Sequence, residues 1–180
     1  MHHLFEEIDF TDSSGWGDWI DRKLVQHGYP VDRWRETIRG MLDEVIGAEL
    51  LPGLRLADVA SKDRRNELDF HFSLQASILP EFAALLPEGD LLRRYLDGFR
   101  GNENEGPVIQ SERFMNGSID LLFRAGGKYY LLDWKSNKLN GSPDGFDQAD
   151  LEREMLKKQY VLQYHVYAVA TNRFLSHTLP

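Results

Sequence analysis

The sequence lacks several features that define large classes of proteins. None of its 180 residues is cysteine, which excludes disulfide bonds and cysteine-based zinc sites. No apolar run approaches the ~20 residues that span a bilayer, and the N-terminus has no signal-peptide pattern. These absences predict a protein of the reducing cytoplasm that has no membrane partner.

Further absences narrow the class of function. There is no Gly-x-x-x-x-Gly-Lys-Ser/Thr phosphate loop, so the sequence predicts no ATP-driven motor. The net charge of -8 argues against a general nucleic-acid coat protein, which carries a basic face. It does not exclude a nuclease, because a metal-dependent site needs local acid, but it predicts weak, salt-sensitive DNA binding. With 42% hydrophobic residues, the length suits one domain over residues 1–180.

The most informative stretch contains two short apolar runs around a glycine pair. The runs are Ile119 to Phe123 and Tyr129 to Leu132, and the pair is Gly126-Gly127. Aromatic and β-branched residues on both sides of such a pair predict a β-hairpin. Each arm carries a carboxylate, with Asp120 inside the first arm and Asp133 at the end of the second.

These carboxylates predict a cation site. Asp133 and Lys135 are two residues apart, so on an extended strand they project from one face, toward whatever Asp120 faces across the hairpin. Like charges near a core are costly unless they are neutralised, and carboxylate oxygens suit Mg²⁺ or Mn²⁺. A random Asp-x-Lys triplet is usually a turn or surface pair, but here three charges interrupt strongly apolar strands.

The residues around the hairpin also resemble a known family. Asp120, followed by Asp133-Trp134-Lys135, resembles the PD-(D/E)xK nuclease signature, and GSIDLLF with KYYLLDWKSN resembles the C-terminal nuclease domain of the RecB subunit of exonuclease V. The resemblance runs from His2 to the helix around Gln163. It implies an α/β, restriction-endonuclease-like core with a mixed central sheet flanked by helices. It also implies excision from a larger helicase–nuclease subunit, with a final strand missing.

The resemblance implies a set of metal ligands. They are His2 in a His-x-x-Phe context, Asp120, Asp133 and the main-chain carbonyl of Trp134, which would together hold Mg²⁺ or Mn²⁺. Lys135 would position the attacking water and stabilise the transition state.

A second implied motif lies on the following helix. Gln163 and Tyr167 match a Gln-x-x-x-Tyr pattern of these nucleases and lie one turn apart. They would bind the DNA backbone or order the site. By spacing alone, they would be ordinary helix surface.

The implied function is that of a metal-dependent deoxyribonuclease of the exodeoxyribonuclease V type, acting on single- and double-stranded DNA ends in recombinational repair. Its products would carry 5′-phosphate and 3′-hydroxyl ends, and its partners would be RecC- and RecD-like subunits. The alternative is a non-catalytic DNA-binding or docking module that is active only within its parent complex. The complete ligand set with its lysine favours the nuclease.

Hydrophobic periodicity predicts the remaining elements. We expect the tail of a helix within residues 1–10, a loop at Asp12 to Gly17, and a short helix ending near Gly28. Asp32 is expected to cap the next helix, and residues 66–74 alternate as a half-buried strand. One or two helices are expected in residues 80–99. From about residue 150 to 174 the pattern predicts one long helix, with an apolar stripe of Leu151, Met155, Leu162, Val166, Val169, Ala170 and Phe174.

Three segments leave alternatives open. Glu67 either approaches the metal site or lies on a solvated strand face. The basic cluster of Lys62, Arg64 and Arg65 either contacts phosphates or belongs to a solvated loop. Residues 136–149 form either a flap near the substrate or a disordered connection.

Overall fold

The structure is a computed structural model that describes residues 2–74, 86–100, 113–136 and 147–178. It contains helices and small sheets, which agrees with the predicted α/β composition, while the restriction-endonuclease-like core stays a prediction. The helices are α1 (His2–Glu7), α2 (Trp16–Gln26), α3 (Val31–Gly47), α4 (Leu91–Arg100), α5 (Gln148–Lys157) and α6 (Tyr160–Thr178). The strands are β1 (Glu49–Leu51), β2 (Leu54–Arg55), β3 (Arg64–Leu74), β4 (Arg113–Ala125) and β5 (Lys128–Leu132).

The chain divides into two compact units. The first consists of Met1–Leu68 and Ile119–Trp134, and the second of Asp69–Ser118 and Lys135–Pro180. The boundary therefore falls within strands β3 and β4. Strands β1 and β2 form a two-stranded sheet, and the order in the three-stranded sheet is β3-β4-β5.

A continuous apolar core fills the first unit. Helix α2 contributes one face at four-residue spacing, and α3 adds buried residues near its C-terminal end. The hairpin strand β4 contributes alternate residues from one face. The buried members are Phe5, Ile8, Phe10, Trp16, Ile20, Leu24, Leu42, Ile46, Leu56, Val59, Leu121 and Phe123.

The helical boundaries of the first unit correct two predictions. Helix α2 begins at Trp16, inside the predicted loop, because the Trp16 side chain is buried in the core. Asp32 does not cap α3. The helix begins at Val31, so Asp32 lies in its first turn, where a negative charge interacts favourably with the helix dipole.

The predicted hairpin is confirmed. Strands β4 and β5 pair antiparallel from Leu121↔Leu132 to Ala125↔Lys128. Gly126 and Gly127 have φ angles of 55° and 75°, as a two-residue turn with both φ positive requires. A second antiparallel pair, formed by β1 and β2, precedes β3 in the chain.

Strand β3 is confirmed as an alternating strand but begins at Arg64, two residues earlier than predicted. Arg64 therefore does not lie in a solvated loop. Its Nη2 donates to the carbonyl of Ile8 at 2.6 Å, and its guanidinium carbon lies 3.5 Å from the centroid of the Phe10 ring. Lys62 and Arg65 are exposed, and a role for them in phosphate contact stays a prediction.

In the second unit, the predicted long helix is two helices. Helix α5 begins at Gln148, where the Asp147 side chain accepts the N–H of Ala149, and ends at Lys157. Gln159 has a φ of 59°, a left-handed conformation that ends helices. The break rotates the helical phase, so the predicted stripe is wrong in part: Leu151 and Val169 are exposed. The residues that α6 buries are Val161, Tyr167, Ala170 and Thr171.

Helix α4 lies in the same unit as α5 and α6. Asp90 accepts the N–H of Leu92 at 2.8 Å at the start of the helix, and Leu92 is buried. Arg94 of α4 forms an ion pair with Glu152 of α5 at 3.0 Å. Residues 80–85 of the predicted helical region and most of the segment 136–149 fall outside the described residues. Within the described ranges, no helix combines the length and apolar character needed to cross a bilayer.

Candidate metal and phosphate site

The two predicted carboxylates lie at the open end of the hairpin. The pairing of β4 with β5 ends at Leu121↔Leu132, and continuing this register by one residue places Asp120 opposite Asp133. Asp120 is only 8% exposed, whereas Asp133 is half-buried. The Oδ2 atom of Asp120 accepts the backbone N–H of Trp134 at 2.7 Å.

The sequence around Asp120 explains why this carboxylate is held in place. Its neighbours Ile119 and Leu121 are buried, and Leu121 belongs to the core of the first unit. A strand anchored on both sides of the aspartate fixes its backbone. Burying a carboxylate is costly without hydrogen bonds, and the N–H of Trp134 supplies one. The same bond orients the carboxylate toward the end of β5.

Helix α1 is attached to this end of the hairpin through aromatic residues. The ring of Phe5 stacks on the indole of Trp134 with centroids 4.1 Å apart and planes 20° apart. Phe5 is 4% exposed, so this stack is part of the core of the first unit. His2 is the first residue of this helix, and its imidazole lies outside the described side chains.

The donor set fits a hard divalent cation. Mg²⁺ is commonly held by one or two carboxylates, with waters and substrate phosphate completing its coordination. Asp120 and Asp133 supply two such carboxylates at the open end of the hairpin. Among the side chains that the structure describes, no group of three or more His, Cys, Asp or Glu residues is arranged to hold a metal. The roles of His2 and of the Trp134 carbonyl therefore stay predictions.

The second unit holds the other predicted residues in one hydrogen-bonded series. Nζ of Lys135 donates to Oε1 of Gln163 at 2.9 Å. Nε2 of Gln163 in turn donates to the hydroxyl of Tyr167 at 2.7 Å. The prediction that Gln163 and Tyr167 share a helix face is confirmed. Because the amide both accepts from the ammonium and donates to the phenol, it fixes the direction in which Lys135 extends.

Three further residues support this series and were missed by the sequence analysis. Nζ of Lys135 lies 4.3 Å from the centroid of the Tyr160 ring, at cation–π distance. The Tyr167 ring meets Phe70 edge-on, with centroids 5.7 Å apart. Phe70 lies against Gly117, where a Cβ atom would come within 2.7 Å of the Phe70 Cζ atom.

A sequence signal for one of these residues did exist. Tyr160, Gln163 and Tyr167 are spaced i, i+3 and i+7, which places them on one helix face. Phe70 contacts Gly117 and Tyr167, which are far from it in the sequence, so helical or strand periodicity does not predict these contacts.

Glu67 lies on an exposed position of β3. Its φ of 49° is uncommon for a residue with a side chain and marks a local irregularity in the strand. The exposed position agrees with a solvated strand face, and an approach to the metal stays a prediction.

Comparison with known proteins gives several similar chains, although no family model matches. The "RecBCD enzyme subunit RecB" of Escherichia coli K12 is 30% identical over 99% of this chain. The subunit of the same name from Haemophilus influenzae is 30% identical over 100% of the chain. That of Buchnera aphidicola subsp. Acyrthosiphon pisum is 37% identical over 99%. The chain covers 14–15% of the length of these relatives.

Proposed function

We propose that this chain, which is homologous over nearly its full length to a segment of RecB subunits, is a metal-dependent DNA nuclease module of the PD-(D/E)xK type. The predicted resemblance to RecB is confirmed by that similarity. The observation that carries the proposal is the nearly buried carboxylate of Asp120. It is bound to the backbone N–H that lies between Asp133 and Lys135 in the sequence.

The chemistry proposed for the site is hydrolysis of a phosphodiester. Asp120 and Asp133 would hold Mg²⁺ or Mn²⁺, with His2 and the Trp134 carbonyl as further ligands. When bound, the cation lowers the pKa of a water and neutralises charge on the phosphate. Asp120 is preorganised, because its hydrogen bond to the backbone fixes its oxygens before substrate arrives.

The residues of the second unit have a separate task in this proposal. The ammonium group of Lys135 positions the attacking water and stabilises the charge that develops on the phosphoryl oxygens. Gln163 holds that ammonium group in a fixed direction, and Tyr167 in turn holds the amide of Gln163.

The biological setting is proposed from the names of the relatives. Because the relatives are RecB subunits of the RecBCD enzyme, we propose that this chain acts in recombinational repair of DNA breaks. Its substrate would be DNA ends, and its partners would be RecC- and RecD-like subunits. The expected products carry 5′-phosphate ends.

The decisive test is cleavage of end-labelled linear DNA, single- and double-stranded, by the purified chain with Mg²⁺ and with EDTA. We expect Mg²⁺-dependent cleavage. Asp133→Asn should reduce it about a thousandfold, because it removes several kcal/mol of electrostatic stabilisation. Asp58→Asn is the matched control: it makes the same change of charge at an exposed position of the same unit and should leave the rate unchanged.

The competing function is a DNA-binding or docking module without catalysis, which the net charge of -8 favours. A DNA-binding measurement in Ca²⁺ separates the two functions. If the chain binds DNA but does not cleave it in Mg²⁺ or Mn²⁺, the nuclease proposal is wrong and the non-catalytic module is supported. Full activity in Asp133→Asn would remove the metal site from the proposal.

A further inference from the structure

Helix α6 begins with a tyrosine whose ring lies beside the Lys135 side chain. Nζ of Lys135 is 4.3 Å from the centroid of the Tyr160 ring, within the range at which the negative face of an aromatic ring attracts a cation. The same Nζ atom donates to Oε1 of Gln163 at 2.9 Å. One helix therefore offers the ammonium group both an amide oxygen and an aromatic face, and all three residues belong to the second unit.

The backbone of Tyr160 is fixed by the residues on both sides of it. Before it, Gln159 has a φ of 59°, and its carbonyl accepts the N–H groups of Leu162 and Gln163 at 3.1 and 3.2 Å. After it, Val161 is fully buried, with 0% of its surface exposed. Tyr160 is itself half-buried, and a tyrosine side chain has only two torsion angles to fix. Its ring is therefore a rigid surface.

Lys135 depends on such restraints, because it is exposed and carries its charge on a flexible four-carbon stem. The hydrogen bond to Gln163 restrains the distance between two atoms but leaves the ammonium group able to swing around the amide oxygen. The Tyr160 ring adds a restraint from a second direction. Together, the amide and the ring face define a position for the positive charge that neither defines alone.

We propose that Tyr160 is a positioning residue whose ring face, together with Gln163, holds the Lys135 ammonium group in the orientation from which it acts on the phosphodiester. This inference rests on the proposed function, because it presupposes the role of Lys135 in cleavage. The ring acts through the ammonium group and not on the phosphate itself. Since the attraction comes from the ring quadrupole, it depends on the electron density of the ring face.

The test measures single-turnover cleavage of end-labelled DNA with Mg²⁺. Tyr160→Leu should lower the rate about fivefold, as expected for loss of a partly exposed cation–π contact. Tyr160→Phe keeps the ring face and should stay within about twofold of the unaltered chain. In a Lys135→Ala chain, Tyr160→Leu should cause no further loss, because no ammonium group is left to position. Tyr164→Leu, the same change at an exposed tyrosine of the same helix, should leave the rate unchanged.

A series of fluorinated phenylalanines at position 160 separates this role from a structural one. Each added fluorine withdraws electron density from the ring face and changes the size of the ring little. From phenylalanine to its mono-, di- and trifluoro forms, the cleavage rate should fall stepwise toward that of Tyr160→Leu. A ring that only filled space, or that stacked on a DNA base, would not show this decline. The series also serves as the test if Tyr160→Leu does not fold.

A measurement without DNA tests the contact apart from the reaction. An aromatic ring shields protons that lie over its face, so the protons on the carbon next to Nζ of Lys135 should resonate upfield of those of other lysines in the NMR spectrum. The upfield shift should vanish in Tyr160→Leu and persist in Tyr160→Phe.

The outcomes distinguish the positioning role from the function beneath it. Absence of the upfield shift in the unaltered chain would overturn the positioning role, as would equal cleavage rates along the fluorinated series. Absence of cleavage by an unaltered chain that shows the shift would instead overturn the proposed function.

Discussion

The two units hold the residues proposed for function in different ways. In the first unit, Asp120 is nearly buried on a strand whose neighbouring residues belong to the core, and its partner is a backbone N–H. In the second unit, Lys135 is exposed, and it is held by the side chain of Gln163 and the ring of Tyr160. Asp120 is thus held by the main chain, and Lys135 by a series of side chains.

Because of this difference, we expect the carboxylate of the first unit and the lysine of the second unit to affect different quantities. A carboxylate fixed by backbone and core loses little entropy on binding a cation, so the first unit should determine metal affinity. A lysine on a flexible stem can follow a moving phosphate, and it relies on its neighbours for direction. The second unit should therefore influence the rate of cleavage with little effect on metal affinity.

The largest effect that separates the two parts is expected from Lys135→Ala. Loss of the ammonium group should lower the cleavage rate by about 10² to 10³-fold, as removal of a preorganised electrostatic group does. Mn²⁺ affinity should stay within about twofold, because Asp120 and Asp133 are untouched. The rate comes from single-turnover cleavage and the affinity from calorimetry. Lys128→Ala removes the same charge at an exposed position of the hairpin and should change neither quantity. A parallel fall in Mn²⁺ affinity would contradict the assignment of metal affinity to the first unit and of cleavage rate to the second.

A smaller effect is expected from Tyr167→Phe. The ring contact with Phe70 remains, but Gln163 loses the hydroxyl that accepts from its Nε2 atom. One hydrogen bond of about 0.5–1.5 kcal/mol corresponds to a rate loss of roughly two- to tenfold. Tyr164→Phe is the control, an exposed tyrosine of the same helix. Equal rates in the two variants would show that the phenol does not act through Gln163.

The smallest effect concerns pH and the attachment of α1 in the first unit. Hydrogen bonds from Lys23 and Trp19 lower the pKa of Glu7 below its ordinary value of 4.5. A lowered pKa contributes stability that is present above pH 4.5 and lost as the pH falls through the folded-state value. Because Glu7 is exposed, the contribution is about 0.5 kcal/mol or less.

Urea unfolding on either side of that range measures this contribution. Glu7→Gln should be slightly less stable than the unaltered chain at neutral pH and equally stable once the carboxylate is protonated. A difference of the same size at both ends of the range would assign the effect to packing instead of charge.

Local patterns were sufficient for the hairpin and for the pairing of Gln163 with Tyr167. A glycine pair between apolar runs specifies a turn, and residues four apart on a helix are neighbours. The break at Gln159 could not be predicted, because the sequence there contains neither glycine nor proline, the residues that usually mark the end of a helix. The stack of Phe5 on Trp134 was also beyond prediction, since the two rings are far apart in the sequence.

The contact between Gly117 and Phe70 limits how the sequence can diverge. A methyl group on Gly117 would come within 2.7 Å of the Phe70 Cζ atom, so alanine or serine at this position would require the Phe70 ring to move or to be replaced by a smaller side chain. Either change would disturb the edge-on contact between Phe70 and Tyr167. We therefore expect positions 70, 117 and 167 to covary among related chains. The residue at position 117 would then limit which residue is tolerated at position 167, because both contact Phe70.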